Sequence, residues 1–291
     1  MTVCSTLART SGEPLAATAP HVRTWVAVEQ PGPWGRKALL DSHLDHALGR
    51  ELTDRTAGVP VTVVLIRRPG PHPDQHARFP RRLWVAHTGP DAEPWLQHAV
   101  IDDPAALLDL DVAALAAGER PALGEPDTVP LLLVCTNARR DACCAVLGRP
   151  AVGTLAGRHP GRVWESSHLG GHRFAPTVLS LPDGFLYGGP DAPSLTLAAC
   201  RGRTALPRPA QAAELAVLAA AGVGRPHALA VTGDGEQWRV LGPDGPVDVA
   251  VTASALPPRR ESCTGEEVGG TSYTAVLGAV SAAPWPRPRT S

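Results

Sequence analysis

Residues 130–144 have the sequence PLLLVCTNARRDACC, and this stretch decides what fold the chain is expected to have. The unbroken apolar run at its start is typical of a strand buried on both faces of an α/β sheet. The residues that follow, 142–160, predict a helix that ends near Gly157–Pro160, with Pro150 in a turn or kink. Cys135 therefore closes a buried strand, which is where open α/β sheets place their functional sites.

The elements that follow this strand occur in the order of a thioredoxin-like unit. A strand is predicted at 161–167, a hairpin over 175–189 with Asp183-Gly184 as its turn, and a closing helix over 191–203. A looser version of the same order precedes residue 130, with strands at 23–30, 59–70 and 81–89, a helical stretch up to about 57, and another over 102–122. The sequence thus predicts an α/β, thioredoxin-like fold, a mixed sheet flanked by helices, in which the first half is a degenerate duplicate of the second.

This pattern divides the chain into three parts. Residues 1–124 are predicted to form an N-terminal α/β region without metal ligands, 125–205 the thioredoxin-like domain, and 206–291 a C-terminal α+β extension. The segment EPDTVP, residues 125–130, is predicted to be a linker. The extension contains an Ala-rich helix at 209–222, strand-like pieces at 227–232, 237–241 and 247–252, and a Pro/Arg-rich end beyond 278 that we expect to be frayed.

The composition excludes several classes of function. The 291 residues carry a net charge of −1, so the chain has no electrostatic reason to bind nucleic acid. No apolar run is long enough to span a membrane, and the first twenty residues lack the pattern of a signal peptide, so we expect a cytoplasmic protein without membrane contact. The abundance of Pro, Gly and Ala is typical of a GC-rich bacterial genome.

Candidate metal ligands cluster after two neighbouring strands. In SSHLGGHRF, residues 166–174, His168 and His172 flank a glycine pair that disfavours a helix and predicts a loop. This loop follows the strand next to the one that ends at Cys135, so both connections are expected at one edge of the sheet. Two thiolates, from Cys135 and from Cys144 or its neighbour Cys143, would meet two imidazoles there.

Two kinds of metal centre accept two thiolates and two imidazoles. Zinc does so, but its cysteines are usually paired two to four residues apart. Cys135 and Cys144 are separated by eight residues, a loop wide enough for something larger than one ion. A [2Fe–2S] cluster with Rieske-type ligation takes two thiolates on one iron and two imidazoles on the other. Glycines beside the histidines would let the backbone approach such a cluster closely.

Four segments resemble the sucrase/ferredoxin-like family of thioredoxin-like [2Fe–2S] ferredoxins: VEQPGPWGRKAL, CTNARRDACCAVLGRP, ESSHLGGHRFAPTVL and LPDGFLYGG. The resemblance covers most of residues 20–200 and is closest to the branch with Cys₂His₂ ligation. It implies that Cys135, Cys144, His168 and His172 bind the cluster and that Cys143 does not. It also implies an electron carrier that exchanges single electrons with a reductase and an acceptor protein. Nothing in the sequence shows the paired carboxylates of a glycosidase, so an enzymatic activity stays undecided.

Other residues receive ordinary structural interpretations, and three other functions stay open. Cys4, Cys200 and Cys263 are expected to be structural residues or free thiols. Surface positions are expected for His43, His46, His72 and His76. The alternatives to a carrier are a cluster-based redox or iron sensor, a zinc protein, and a thiol oxidoreductase, which would need a C-x-x-C pair that the chain lacks.

Overall fold

A computed structural model describes residues 3–71, 79–90 and 92–280. The helices are α1 (Cys4–Thr10), α2 (Ala38–Asp41), α3 (His46–Arg55), α4 (Val112–Ala117), α5 (Ala142–Arg158) and α6 (Arg208–Ala220). The expectations for His72, His76 and the chain from residue 281 onward lie outside the described residues.

The strands of the described residues form two sheets. They are β1 (Thr24–Glu29), β2 (Val61–Arg67), β3 (Arg81–His87), β4 (Trp95–Ile101), β5 (Glu125–Pro126), β6 (Leu131–Cys135), β7 (Val163–Ser166), β8 (Val178–Leu181), β9 (Phe185–Tyr187), β10 (Cys200–Arg203), β11 (Val231–Asp234), β12 (Gln237–Gly242), β13 (Gly245–Arg260) and β14 (Glu267–Val280). The larger sheet has ten strands in the order β10-β9-β8-β6-β7-β2-β1-β3-β4-β5, and the smaller has the order β11-β12-β13-β14.

The two halves of the ten-stranded sheet have the same strand order. In the first half, β1 pairs in parallel with β2 and antiparallel with β3, which pairs antiparallel with β4. In the second half, β6 pairs in parallel with β7 and antiparallel with β8, which pairs antiparallel with β9. The halves join where β2 and β7 pair antiparallel, with Ile66 opposite Ser166 and Arg67 opposite Glu165. The predicted α/β class, a large mixed sheet flanked by helices, is confirmed.

The core lies on both faces of this sheet, and every residue of β6 is therefore buried. Leu131, Leu133 and Cys135 point to one face, where they join a cluster that also contains tryptophans from both halves. Leu132 and Val134 point to the opposite face and pack with residues of α5 and α6. The two-residue period of a strand explains this alternation. The apolar sequence run is thus buried on both sides, as its composition indicates.

One predicted helix is wrong. Residues 191–203 form two short 3-10 turns, Ala192–Ser194 and Leu197–Ala199, followed by strand β10. Pairing with β9 satisfies the backbone groups of β10, which a helix over these residues would have satisfied internally. The helix that packs on the core of the second half is instead α6, through Leu215.

Three smaller differences concern length and pairing. The residues expected to be a linker begin with β5, which pairs with β4, and β4 itself is a strand to which the sequence analysis assigned no element. Helix α5 continues through Pro150. Because proline has no N–H, the carbonyl of Val146 lacks its helical hydrogen bond. Val146 is 69% exposed, so water can take the place of that donor. The strand piece at 247–252 is part of the longer β13, in which Pro257 falls at a register shift.

The three-part domain division stays a prediction. The ten-stranded sheet continues across residues 124 and 125, and α6, from the expected extension, packs on the second half.

Glycine at position 148 lets α5 lie directly against β6. A Cβ at Gly148 would overlap the carbonyl oxygen of Cys135. We therefore expect Gly148→Ala to lower the free energy of unfolding by about 1–3 kcal/mol, because the helix must move away from the strand. Chemical denaturation followed by circular dichroism would measure this change.

Gly153→Ala is the matched control on the same helix, because a Cβ there has nothing within 4 Å. It should raise the free energy of unfolding by roughly 0.5–1 kcal/mol through helix propensity. Equal effects of the two substitutions would contradict the close contact.

Candidate metal centre

The two sequence-predicted cysteine ligands lie at the junction of β6 and α5. Cys135 is the last residue of β6, and its backbone N–H donates to the Thr177 carbonyl at 3.1 Å. Cys144 lies in the first turn of α5, which is capped by Asp141, whose carboxylate accepts the N–H of Cys143 at 2.9 Å. Both sulfur-bearing residues have no exposed surface. The strand end and the capped helix therefore hold the two thiols in fixed positions.

The two histidines come from the loop after β7. His172 begins a single 3-10 turn, His172–Phe174, while His168 precedes the glycine pair. Gly170 and Gly171 have φ values of +89° and +67°, which residues with a Cβ rarely adopt. The two glycines therefore allow the loop to bring both imidazoles to one place. His172 is 9% exposed and His168 is half-buried.

The structure brings three of the four predicted donors together. One donor atom each from Cys135, Cys144 and His168 lies within 4.8 Å of the other two. The His172 ring centroid is 4.7 Å from that of His168, although His172 is not part of the 4.8 Å group. The Nδ1 atoms of both histidines are buried and have no hydrogen-bond partner within the described part of the chain. A buried polar atom without a partner is costly unless it serves as a ligand.

The electrostatics of the group follow from its crowding. A hydrogen bond from Cys144, with His168 beside it, lowers the pKa of Cys135 well below its ordinary value. The same hydrogen bond and burial raise the pKa of Cys144. Burial and the neighbouring His168 lower the pKa of His172 to about 4, so this imidazole is neutral at pH 7. A neutral imidazole is the form that binds a metal.

Arg201 holds the histidine loop, and the sequence analysis missed this role. Its guanidinium is fully buried, donates to the Gly170 carbonyl at 2.9 Å and donates to the Thr18 carbonyl at 2.6 Å. It also packs against the ring of Phe174, 4.8 Å from the centroid. A Cβ at Gly171 would overlap this guanidinium, so the glycine makes room for the arginine. No local sequence pattern marks a side chain that reaches a loop thirty residues earlier.

The first half of the chain supports the cysteine loop from the other side. Asn137 donates to the Gly35 carbonyl at 3.1 Å, and the hydroxyl of Thr136 donates to Glu165 at 2.8 Å. Arg67 of β2 forms a buried ion pair with the same Glu165 at 2.7 Å. Gly35 belongs to the segment VEQPGPWGRKAL, so this segment contacts the ligand loop in space.

Cys143, the alternative ligand, is directed elsewhere. Its sulfur contacts those of Cys4 and Cys263, at 3.5 and 3.3 Å, rather than the histidine group. Cys200, in β10, is buried and belongs to neither group. The assignment of Cys135, Cys144, His168 and His172 as ligands stays a prediction. The donor chemistry fits a centre of two thiolates and two imidazoles, since the two Nδ1 atoms have no other use among the described residues.

The fold and these donors define an α/β protein of thioredoxin-like type with a buried Cys/His group suited to metal binding. A family model described as sucrase/ferredoxin-like matches residues 15–199, and the chain belongs to this family. A search of curated proteins and a search of solved structures each gave no match. Among the described residues, no helix has the length and apolar character needed to cross a membrane.

Gly171→Ala should weaken the site beyond the cost of its backbone conformation. We expect a loss of about 1–2 kcal/mol from the positive φ, and a further loss because the new Cβ displaces Arg201 from the loop. Denaturation and the metal content of the purified protein would measure the two effects.

Gly189→Ala is the matched control, since Gly189 also has a positive φ, +77°, but open space around a Cβ. This variant should lower the free energy of unfolding only by the cost of the positive φ, and it should leave the metal content unchanged. If both variants keep their metal equally well, Arg201 does not position the loop.

Proposed function

We propose that the protein binds one [2Fe–2S] cluster through Cys135, Cys144, His168 and His172 and transfers single electrons between a reductase and an acceptor protein. The observation that carries this proposal is a group of two buried thiols and the His168 imidazole, with the His172 ring 4.7 Å from that of His168. The Nδ1 atoms of both rings have no other partner among the described residues. Membership of a family with a ferredoxin-like description supports it. A bound cluster would supply one-electron redox chemistry.

The spread of the four donors is wider than that of ligands around a single metal ion. Around a single zinc ion, sulfur and nitrogen ligands at about 2.0–2.3 Å lie less than about 4 Å from one another. His172 falls outside the 4.8 Å group formed by the other three residues, so at least one donor pair is farther apart than that. A rhomb of two irons and two sulfides has separate ligand pairs and tolerates this span.

The charges of the ligands favour a high reduction potential. Two thiolates and two neutral imidazoles give an oxidised [2Fe–2S] centre a formal charge of about zero, against about −2 for four thiolates. Adding an electron to a neutral centre is easier. We therefore place the potential in the range of Rieske centres, above that of ferredoxins with four cysteines.

The exposure of the ligands indicates where electrons enter and leave. Cys135 and Cys144 are fully buried, which excludes water and oxidants from the sulfurs. His168 is half-buried, so its side of the site is the closest to solvent. Arg139, in the cysteine loop, is exposed and could attract an acidic patch on a redox partner. We propose that partner proteins approach at this edge.

A cluster-based sensor is the alternative, and the burial of both thiols weighs against it. A sensor must let an oxidant or an iron-binding agent reach its cluster, whereas a carrier must protect the cluster through many redox cycles. Anaerobic purification followed by iron and sulfide analysis, visible absorption and EPR would test the proposal. A colourless zinc protein would overturn it, and rapid loss of the cluster in air would favour the sensor.

Replacing His172 by Cys should lower the reduction potential, by on the order of 100 mV, because a thiolate adds negative charge to the centre. Spectroelectrochemical titration of the variant and the wild type would measure the shift. The reduced EPR spectrum should change as well, since one nitrogen ligand becomes sulfur.

His46→Cys is the matched control, because His46 is an exposed residue of α3 in the first half. Its potential and spectrum should equal those of the wild type. An unchanged potential in His172→Cys with the cluster retained would show that His172 is not a ligand.

A further inference from the structure

Three cysteines distant in the sequence meet at the start of α5, where Cys4 and Cys143 pack against Ala175 at the end of the histidine loop. Cys4 comes from α1, Cys143 from the first turn of α5, and Cys263 from the connection between β13 and β14. Their sulfurs are 3.5 Å apart for Cys4–Cys143, 3.3 Å for Cys143–Cys263 and 3.6 Å for Cys4–Cys263. The sequence analysis expected Cys4 and Cys263 to be structural residues or free thiols.

A carboxylate completes the group. Asp141 Oδ1 is 3.2 Å from the sulfur of Cys263 and 3.8 Å from that of Cys4. All four donor atoms, including the sulfur of Cys143, lie within 4.8 Å of one another. Cys4 and Cys143 are almost fully buried, Asp141 is 4% exposed, and Cys263 is half-buried.

These distances are close to the edges of a metal-centred tetrahedron. Zinc–sulfur bonds of about 2.3 Å at tetrahedral angles separate two sulfurs by about 3.8 Å, and a sulfur from a carboxylate oxygen by about 3.5 Å. The three sulfur–sulfur distances fall within 0.5 Å of that value, and the two sulfur–oxygen distances bracket theirs. Here, unlike the histidine group, all four donors fit around one ion.

The carboxylate is held in place by hydrogen bonds that leave lone pairs free. Asp141 Oδ1 accepts the backbone N–H of Cys143 at 2.9 Å, and Oδ2 accepts that of Cys263 at 2.7 Å. Each carboxylate oxygen has two acceptor positions, so a metal bond can be added to these contacts. Metal-binding carboxylates are commonly oriented by such hydrogen bonds.

We propose that Cys4, Cys143, Cys263 and Asp141 form a second metal site, which binds one Zn²⁺ and joins the N-terminal helix and the β13–β14 connection to the start of α5. Cys4 and Cys263 lie outside residues 15–199, so the match to the family model does not imply this site. Zinc is the metal of choice because three thiolates and one carboxylate provide a closed, soft, four-coordinate site. A disulfide would use two of the sulfurs and leave the third thiol and the carboxylate without a role.

The test is elemental analysis of the purified full chain for zinc and iron. The wild type should contain one zinc per chain in addition to cluster iron. Cys4→Ser and Cys263→Ser should each lose most of the zinc while the visible spectrum of the cluster stays unchanged. Cys200→Ser is the matched control, because it removes a buried thiol outside both groups, and it should keep both metals.

Cys135→Ser separates this proposal from the one on the iron–sulfur cluster. This variant should lose iron and keep zinc, because Cys135 belongs only to the histidine group. Zinc that disappears with Cys135→Ser, or that persists in both Cys4→Ser and Cys263→Ser, would overturn the second site. Absence of zinc from the wild type, or a disulfide among Cys4, Cys143 and Cys263 found by mass mapping of the unreduced chain, would also overturn it.

A second experiment uses the wild-type protein, so it tests the site even if the variants fail to fold. Iodoacetamide labelling followed by peptide mass mapping should show Cys4, Cys143 and Cys263 protected together, and exposed together after a zinc chelator is added. Addition of Co²⁺ to the stripped protein should give the visible d–d bands of a tetrahedral thiolate site. Independent labelling of the three thiols, without an effect of the chelator, would contradict the site.

Discussion

The contact between α5 and the end of β6 is the constraint on which the rest of the site depends. Gly148 lets the helix lie against the carbonyl of Cys135, and this closeness brings Cys144 to the strand end. The Asp141 carboxylate caps the helix and so fixes where its first turn begins. Because adjacent residues on a helix point about 100° apart, one turn can direct Cys144 to the histidines and Cys143 to Cys4 and Cys263. Two neighbouring thiols thereby belong to two separate groups.

The first half of the chain contains none of the four proposed cluster ligands, yet its residues contact and position the site. The pairing of β2 with β7 makes one continuous sheet, and the buried ion pair of Arg67 with Glu165 crosses that seam. Glu165 in turn accepts a hydrogen bond from Thr136, next to Cys135. A buried ion pair is costly to break from one side, so the seam favours a single relative position of the halves. The two similar strand arrangements are thus joined in one continuous sheet.

The histidine loop illustrates how a buried cation can organise a site without touching it. Burial removes water from the Arg201 guanidinium. Hydrogen bonds to the carbonyls of Gly170 and Thr18 take the place of that water. The loop is therefore held by backbone contacts, and within the part of the chain that the structure describes the imidazoles have no hydrogen bonds at Nδ1. Thr18 lies between α1 and β1, so the chain before β1 contributes to the histidine loop through Arg201 and to the cysteine group through Cys4.

The sequence alone determined the features that depend on near neighbours: the buried strand at 130–135, the helix after it, the 175–189 hairpin, and which four side chains to consider as cluster ligands. It failed where long-range pairing decided the outcome. Residues 191–203 became turns and a strand because β9 offered its free edge. Arg201 and the group of Cys4, Cys143 and Cys263 could not be predicted, because no local period or spacing relates residues separated by about thirty to more than a hundred positions. Tertiary structure alone brings such side chains within a few ångströms, since packing of the sheet and helices fixes their distances.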